Sequence, residues 1–470
     1  MSRSAVFLGL IALGAWGCTG GSNNAPAPPV TSSFTNVLRN EVPFVAPEAG
    51  SVQVNSSAPG DLVATPWLPV PAGAGTVTVV GLLAGTTYEH TISFLSSATG
   101  VASVLGTVRR TVPSLPPDLS TYSMAVTPVT SSPGPGYTLV TGAGKFQLAF
   151  DAGGRLRWYQ RLDPATAECK MQYDGSLTAF VGTTTGFQPV PGDYVRFRSD
   201  GTVLATYTTS PDPTEPGSPT VYTDNHELLV TADALGGEHL HLLGYELRPL
   251  GPGGPVGAWH EILRQRTDGT VEFRWKTWDH FTAADQTEIV PGGTDLDHAN
   301  SLDMAPNGDY VVSFRDLDAV ARIDSGGDVV WQLGGKKNLF TFVGDSLGGF
   351  SGQHSARLLP DGNLLVYDDG LQHQPQESRA VEYALDTNAM TATLVWEFRH
   401  NPPLFTPYVG SVERLANGNT LVGFALEGTV CEVDPQGKLV WQGVVYSSTN
   451  VPLFAYRIRR LPSLYQFEMP

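Results

Sequence analysis

The chain reads as a succession of short stretches in which apolar and polar residues alternate, each bounded by Gly, Pro, Asn or Asp. A period of two predicts strands with one buried face, and the Gly-, Asn- and Asp-rich breaks predict the turns between them. From about residue 120 onward the pattern repeats. A turn leads into a strand that carries an aromatic residue at 154–158, 201–207, 269–275, 327–331 and 437–441. A sixth such strand, Ala392-Thr393-Leu394-Val395-Trp396, lacks the preceding glycine. The spacing of these units, about 45 to 70 residues, is too uneven for a solenoid and suits four-stranded blades with variable loops. Six copies predict an all-β chain with a six-bladed β-propeller over 120–470.

The first strands of the six units fall at 137–140, 169–173, 226–231, 298–304, 354–359 and 411–415, with hairpin signals at Asn307-Gly308, Asp361-Gly362 and Asn417-Gly418. In a propeller the first strand of each blade lines the central channel, so three of the six open on a histidine: His226, His298 and His354. The last stretch, 455–461, has no partner of its own and is expected to pair into the first or last blade, closing the ring and removing an exposed edge. Ahead of the repeats, 34–113 alternates as Ser51-Val52-Gln53-Val54, Leu62-Val63-Ala64-Thr65, Thr76-Val77-Thr78-Val79-Val80 and Glu89-His90-Thr91-Ile92-Ser93-Phe94. The phrase Gly81-Leu82-Leu83-Ala84-Gly85-Thr86-Thr87-Tyr88 resembles the tyrosine corner of fibronectin type III domains. A small β-sandwich is the expectation for this region, with 113–117 as the linker.

Composition narrows the partners. The 52 Gly and 36 Pro with only 16% charged residues fit a turn-rich β protein. A net charge of -17, from 28 basic and 45 acidic residues without a long basic run, argues against a nucleic-acid partner. An anion site would have to be a local positive island. At the N-terminus Arg3, the apolar stretch 5–15 and Ala15-Trp16-Gly17 before Cys18 have the layout of an export signal over 1–18, too short for a spanning helix. Cys18 also resembles the lipid-attachment position of bacterial lipoproteins, although Ala15 and Trp16 depart from the usual box. The Gly/Ser/Asn/Pro-rich stretch 19–33 then reads as a flexible tether. The expectation is an exported protein of the bacterial cell envelope, in the periplasm or at the outer membrane, held to the membrane by a lipid on Cys18. Beyond the signal no apolar run is long enough to cross a bilayer. Cys169 and Cys431 remain in the mature chain, too few for a disulfide scaffold, and their pairing is open.

Two matched segments carry the chemistry. One runs Asp297-His298-Ala299-Asn300-Ser301-Leu302 through Pro306-Asn307-Gly308 to Arg315. The other runs Phe350-Ser351-Gly352-Gln353-His354-Ser355-Ala356-Arg357 to Pro360-Asp361-Gly362-Asn363. Histidine serves as nucleophile, acid or base near neutral pH, and arginine's planar fork suits a tetrahedral oxyanion. His226, His298 and His354 with Arg315 therefore read as an anion site containing a nucleophile. Buried histidines that merely tie blades together are the bland alternative. Three imidazoles on zinc are a further one, disfavoured by a fixed cation beside a dication. His239 and His241 share one face of a strand and are expected at the surface, His373 and His400 in loops, Asp368 and Asp369 in a turn, and Lys336 and Lys337 in a solvated loop.

The ordered set His-x-Asn-Ser-Leu, Ser-x-Arg, Ile-Asp, Trp-x-Leu-Gly-Gly, Phe-Ser-Gly-Gln-His and Pro-Asp-Gly-Asn within 297–370 resembles the bacterial arylsulfotransferases, which move sulfuryl groups between phenols without adenosine phosphosulfate. The likeness extends over about 130–465, and Asp224-Asn225-His226-Glu227-Leu228 resembles the first histidine motif of the less characterised branch. It implies a six-bladed propeller behind a small β domain, and no cofactor. It also implies an aryl sulfate donor, a phenolic acceptor, and His354 as the nucleophile of a sulfohistidine intermediate. By the same implication His298, Asn300 and Arg315 hold the sulfuryl oxygens, and His226 serves as acid and then base. Ser355 stands where the family usually has Asp, which leaves the partner of the nucleophile's other nitrogen unassigned. Two other classes remain beside this one: a non-catalytic cell-surface ligand-binding propeller, and a metal-dependent hydrolase or lyase using the same histidines.

Overall fold

Alternation in the sequence becomes alternation in burial. In Gly50–Ala58 every second residue, Gly50, Val52, Val54 and Ser56, is buried, whereas in middle strands of the repeat region such as Tyr310–Phe314 and Thr420–Phe424 every residue is buried because sheets pack on both faces. The computed structural model describes residues 36–127, 133–182, 192–214, 220–249, 256–287, 295–447 and 451–465. The export segment, Cys18 and the tether lie outside the described residues. The chain is all-β, with short 3-10 turns and no α-helix among the described residues. No helix there is long and apolar enough to cross a membrane.

The N-terminal strands form two sheets. Arg39–Ala46 pairs with Gly73–Val80, and Gly50–Ala58 lies between Asp61–Ala64 and Thr87–Ser96, which in turn pairs with Ala102–Thr111. Tyr88 is fully buried, and its hydroxyl accepts the Leu83 N–H at 3.1 Å while donating to Asp61. Arg157 reaches across from the repeat region to Asp61 at 2.8 Å and to the Gly81 carbonyl at 3.1 Å.

The repeats form six sheets, antiparallel except where Thr341–Val343 joins the fifth in parallel, whose innermost strands contact one another in cyclic order: Arg457–Leu461, Thr166–Met171, Tyr222–Ala232, Ala299–Met304, His354–Leu358 and Ser411–Arg414. The expected closure by the C-terminal stretch is present, with one change of place. Arg457–Leu461 pairs with Tyr137–Ala143 on its inner side, so the stretch 137–140 is the second strand of the first sheet and not the channel-lining one. At the sixth sheet Ser123–Thr127 adds to the outer strand Leu439–Tyr446, so both ends of the repeat region are tied in. The recurring tryptophans explain themselves here. Trp158 donates to the Ser199 carbonyl at 2.7 Å, Trp275 to Gly327 at 3.0 Å and Trp441 to Ala152 at 2.9 Å. Each indole thus grips a turn of a following sheet, the sixth gripping the first. Cys169 and Cys431 are buried free thiols in different sheets.

The channel itself is filled with charge. Buried Glu227 receives Lys170 at 2.8 Å, Arg357 at 2.6 Å, Arg457 at 2.9 Å and Arg459 at 3.3 Å, while Glu168 takes Arg457 at 3.1 Å and Arg459 at 2.6 Å. Burial pushes the Glu227 carboxyl up, but Arg357, Lys170, Arg457 and Arg459 together hold it well below the usual range. Arg457 also donates to the carbonyls of His226, at 2.9 Å, and Asn300. Removing this guanidinium leaves buried carboxylates and carbonyls uncompensated. Arg457→Ala should therefore cost about 3–5 kcal/mol of unfolding free energy in urea titration, and a loss under about 1 kcal/mol would show that the ring closes without it.

Candidate active site

Each of the three inner strands that carry a predicted histidine breaks register beside it. The pairing of Tyr222–Ala232 shifts between Thr223 and Leu228, that of Ala299–Met304 between Ala299 and Ser301, and that of His354–Leu358 between His354 and Arg357. Such bulges turn side chains out of the sheet alternation and toward a common point. Left-handed backbone marks the same places: His298 has φ 47°, Ser355 φ 56° and Val409 φ 63°. Non-glycine residues hold that conformation only where the surroundings impose it.

The three rings converge. His226 and His298 are 4.9 Å apart between ring centroids, and His298 and His354 are 6.2 Å apart. In all three, Nδ1 faces a carboxylate: His226 to Asp224 at 2.7 Å, His298 to Asp295 at 2.8 Å and His354 to Asp369 at 2.9 Å. That leaves Nε2 of His226 and His298 as the nitrogen turned away from the partner. His354 is the most enclosed. Its Nδ1 donates to Asp369 and to the Gly352 carbonyl at 3.1 Å, so Nε2 bears the lone pair, which accepts the Val409 N–H at 3.2 Å. Burial, then the charges of Arg315 and of His298 and His226 when protonated, push the His354 imidazole well below its ordinary value.

Arg315 opens the 3-10 turn Arg315–Leu317, and its N–H donates to the His298 carbonyl at 3.0 Å. Its guanidinium meets Asp316 at 2.5 Å and the Pro407 carbonyl at 3.2 Å. Burial raises the Asp316 carboxyl to about 6, with Asp295 adding to the rise, and His298 and Arg315 oppose it. Asn300 is fully buried one residue beyond Ala299, and its amide donates to the Gln353 carbonyl at 2.7 Å, directly before His354. Gln353 in turn donates to Ser313, Phe314 and Ala319 across the sheet boundary.

Several groups escaped the sequence reading. Asp369, expected in a turn, is fully buried and orients His354. It fills the role that Ser355 leaves open. Asp224 and Asp295 precede their histidines by two and three residues, a recurrence that could have flagged them. His260, inside the strand Val256–Arg266, gave no such signal, yet it contacts Asp297 at 2.5 Å and Asp224 at 3.4 Å. One surface expectation fails, that for His241, while His373 lies in a loop as expected but is buried there. His241 is buried between sheets on Tyr310 at 2.7 Å and Thr231 at 2.9 Å, and His373 is buried on Asp368 at 2.7 Å. Both sit where a flanking sheet or turn covers them, which strand alternation alone does not reveal.

Among the described residues, the cluster of three or more potential metal donors within 4.8 Å of one another is His260, Asp295 and Asp297. Its 2.5 Å contact is a hydrogen bond that occupies the His260 Nδ1 a metal would need, so the trio reads as an ion-paired network.

Comparison with known proteins falls on the same stretch. The family model Arylsulfotransferase (ASST) matches residues 258–456. Over these residues, somewhat under half of its length, the chain is similar to the arylsulfotransferase family. The arylsulfotransferase match takes in His260, His298, Asn300, Arg315, His354 and Asp369, whereas Asp224 and His226 precede it. No curated protein matches the chain. Among solved structures, a protein of unknown function from Bacteroides caccae is 16% identical, covering 69% of this chain and 98% of its own, with a TM-score of 0.43. A catalytically inactive virginiamycin B lyase from Staphylococcus aureus with quinupristin is 11% identical, covering 68% and 87%, with a TM-score of 0.35. Likenesses at this level do not define the fold.

The electrostatics of His354 have a measurable consequence. The folded protein keeps this imidazole neutral where an unfolded chain would protonate it below about pH 6.5, so the unfolded state binds more protons there. Its contribution to stability is present above that pH and is lost as pH falls. Between about pH 7 and 5 the His354→Gln variant should lose less unfolding free energy than wild type, by up to about 2 kcal/mol, in parallel urea titrations. Equal losses would show that His354 protonates normally in the fold.

Proposed function

We propose that the protein is an exported sulfotransferase that moves a sulfuryl group from an aryl sulfate to a phenol through a sulfohistidine at His354, without adenosine phosphosulfate. The observation that carries the reading is the convergence of two carboxylate-backed imidazoles, His226 and His298, and of Arg315 on a neutral His354, itself backed by Asp369 and inside the arylsulfotransferase match. The six cyclically ordered sheets support reading 120–470 as a six-bladed propeller, and the Tyr88 contact supports reading 34–113 as a fibronectin type III-like sandwich. Signal 1–18, lipid attachment at Cys18, tether 19–33 and a place in the cell envelope rest on the N-terminal sequence.

In the first step the Nε2 lone pair of His354 attacks sulfur. An N–S bond forms as the S–O(aryl) bond breaks, and the departing phenolate takes a proton from His226. Arg315 and His298 meet the sulfuryl oxygens, Asn300 fixes the backbone carbonyl before the nucleophile, and Asp369 stabilises the positive charge that develops on the His354 ring. In the second step the now neutral His226 takes the proton of the acceptor phenol, whose oxygen attacks sulfur as the N–S bond breaks and returns the electron pair to Nε2. The donor must displace the Val409 N–H from that nitrogen before the first step.

That same contact favours a second reading, a ligand-binding propeller in which His354 is capped and does no chemistry. An assay separates the two. With 4-nitrophenyl sulfate as donor and phenol as acceptor, the purified protein should release nitrophenol in an acceptor-dependent way, and His354→Asn should reduce release to background. No release from a panel of aryl sulfates would favour the binding protein, and release abolished by chelator and restored by zinc would favour a metal-dependent hydrolase.

A further inference from the structure

His260 meets the carboxylates that hold two of the three histidines. Its Nε2 is 3.4 Å from Asp224, which holds His226. Its Nδ1 is 2.5 Å from Asp297 and 3.7 Å from Asp295, which holds His298. The ring is buried and is 6.5 Å from that of His298 between centroids. Its position is fixed from both sides. The His260 N–H donates to Asp297 at 3.2 Å and its carbonyl accepts Thr277 at 2.8 Å, while the Leu296 N–H donates to the Ala258 carbonyl at 3.1 Å and draws the 295–297 segment along the strand.

We infer that His260 is a positioning residue, a buried cationic bridge that joins the Asp224–His226 and Asp295–His298 pairs so that both imidazoles are oriented by one network. The inference rests on the proposed transfer only in calling those two histidines functional.

Three carboxylates, Asp224, Asp295 and Asp297, face His260, with the imidazoles of His226 and His298 beyond them and the Tyr245 ring at 6.1 Å. Burial alone would strip the proton from His260, but Asp297, Asp295 and Asp224 outweigh it and hold the imidazole well above its ordinary value. Conversely, burial alone would protonate Asp224 and Asp295, and the imidazoles around them hold both low. With His260 neutral or absent, the carboxylates would repel one another across a dry gap and their grip on His226 and His298 would loosen together.

The test is imidazole NMR on the whole protein with labelled histidine. In wild type at pH 7 both nitrogens of His260 should carry protons, and the Nδ1–H signals of His226, His298 and His354 should be slow to exchange with water. In His260→Gln the protection of His226 and His298 should be lost together, while that of His354, which depends on Asp369, persists. Turnover of 4-nitrophenyl sulfate should fall by about tenfold to a hundredfold with KM little changed. Retained protection at either His226 or His298 would overturn the bridge. So would a neutral His260 in wild type, a measurement that needs no variant, or a His260 signal displaced by a chelator. The NMR arms need no catalysis, so a wild type without sulfuryl transfer would count against the functional reading and leave this one to its spectra.

Discussion

The guanidinium of Arg457 joins the closure of the ring to the floor of the site. It arrives on the last strand of the chain, enters the channel, and there meets Glu168, Glu227 and the carbonyls of His226 and Asn300. These four partners belong to three different inner strands. A buried ion pair is not in itself a source of stability, since desolvating both charges offsets most of their attraction. What the network supplies is commitment. Once Glu168 and Glu227 are buried, only a strand bearing cations can complete the ring, and that strand then fixes the backbone on which His226 and Asn300 stand. An apolar residue at 457 could fill the volume but would leave two carbonyls unpaired beneath the reactive groups.

Above that floor, similar rings are set to different tasks by their surroundings. His354 is buried near the charge of Arg315, which favours a neutral ring, while the Asp369 carboxylate holds its Nδ1–H and so directs the lone pair to Nε2. His260 is buried among three carboxylates, which favours the charged form. The same burial acts on both, and the sign of the neighbouring charge decides the outcome. The cations nearest an anion site in a chain of net charge -17 are Arg315 and the channel guanidinium groups, each of them paired with a carboxylate.

Much of this was legible in the sequence because it is local. Strand alternation, turn residues, the repeated tryptophans and the inner-strand histidines are all fixed within a few positions of each other, although only His354 opens its strand, His226 sitting inside Tyr222–Ala232 and His298 just ahead of Ala299–Met304. The unpartnered C-terminal stretch was legible for a different reason, since a strand with no neighbour must find one. The misses are long-range. Asp369 comes from the end of the neighbouring strand Leu364–Asp368, so nothing beside His354 announces it, and Ser355 gave no substitute. His260 reads as one polar residue in a core strand until the fold lays the 295–297 segment along it. His241 alternates as a surface residue should, and only the approach of Tyr310 from the next sheet buries it. In each case the partner lies on another strand, and periodicity carries no information about what packs against a face.

The central claim concerns one nitrogen, and the direct test is to look for the bond it forms. The protein would be mixed with 4-nitrophenyl sulfate in the absence of acceptor, quenched in alkali to preserve a sulfated imidazole, digested and analysed by tandem mass spectrometry. The account predicts a sulfuryl adduct on the peptide containing His354, localised to that ring, which disappears when phenol is added before quenching. Acceptor-dependent turnover with the adduct on another residue, or with none at His354 under single-turnover conditions, would contradict it.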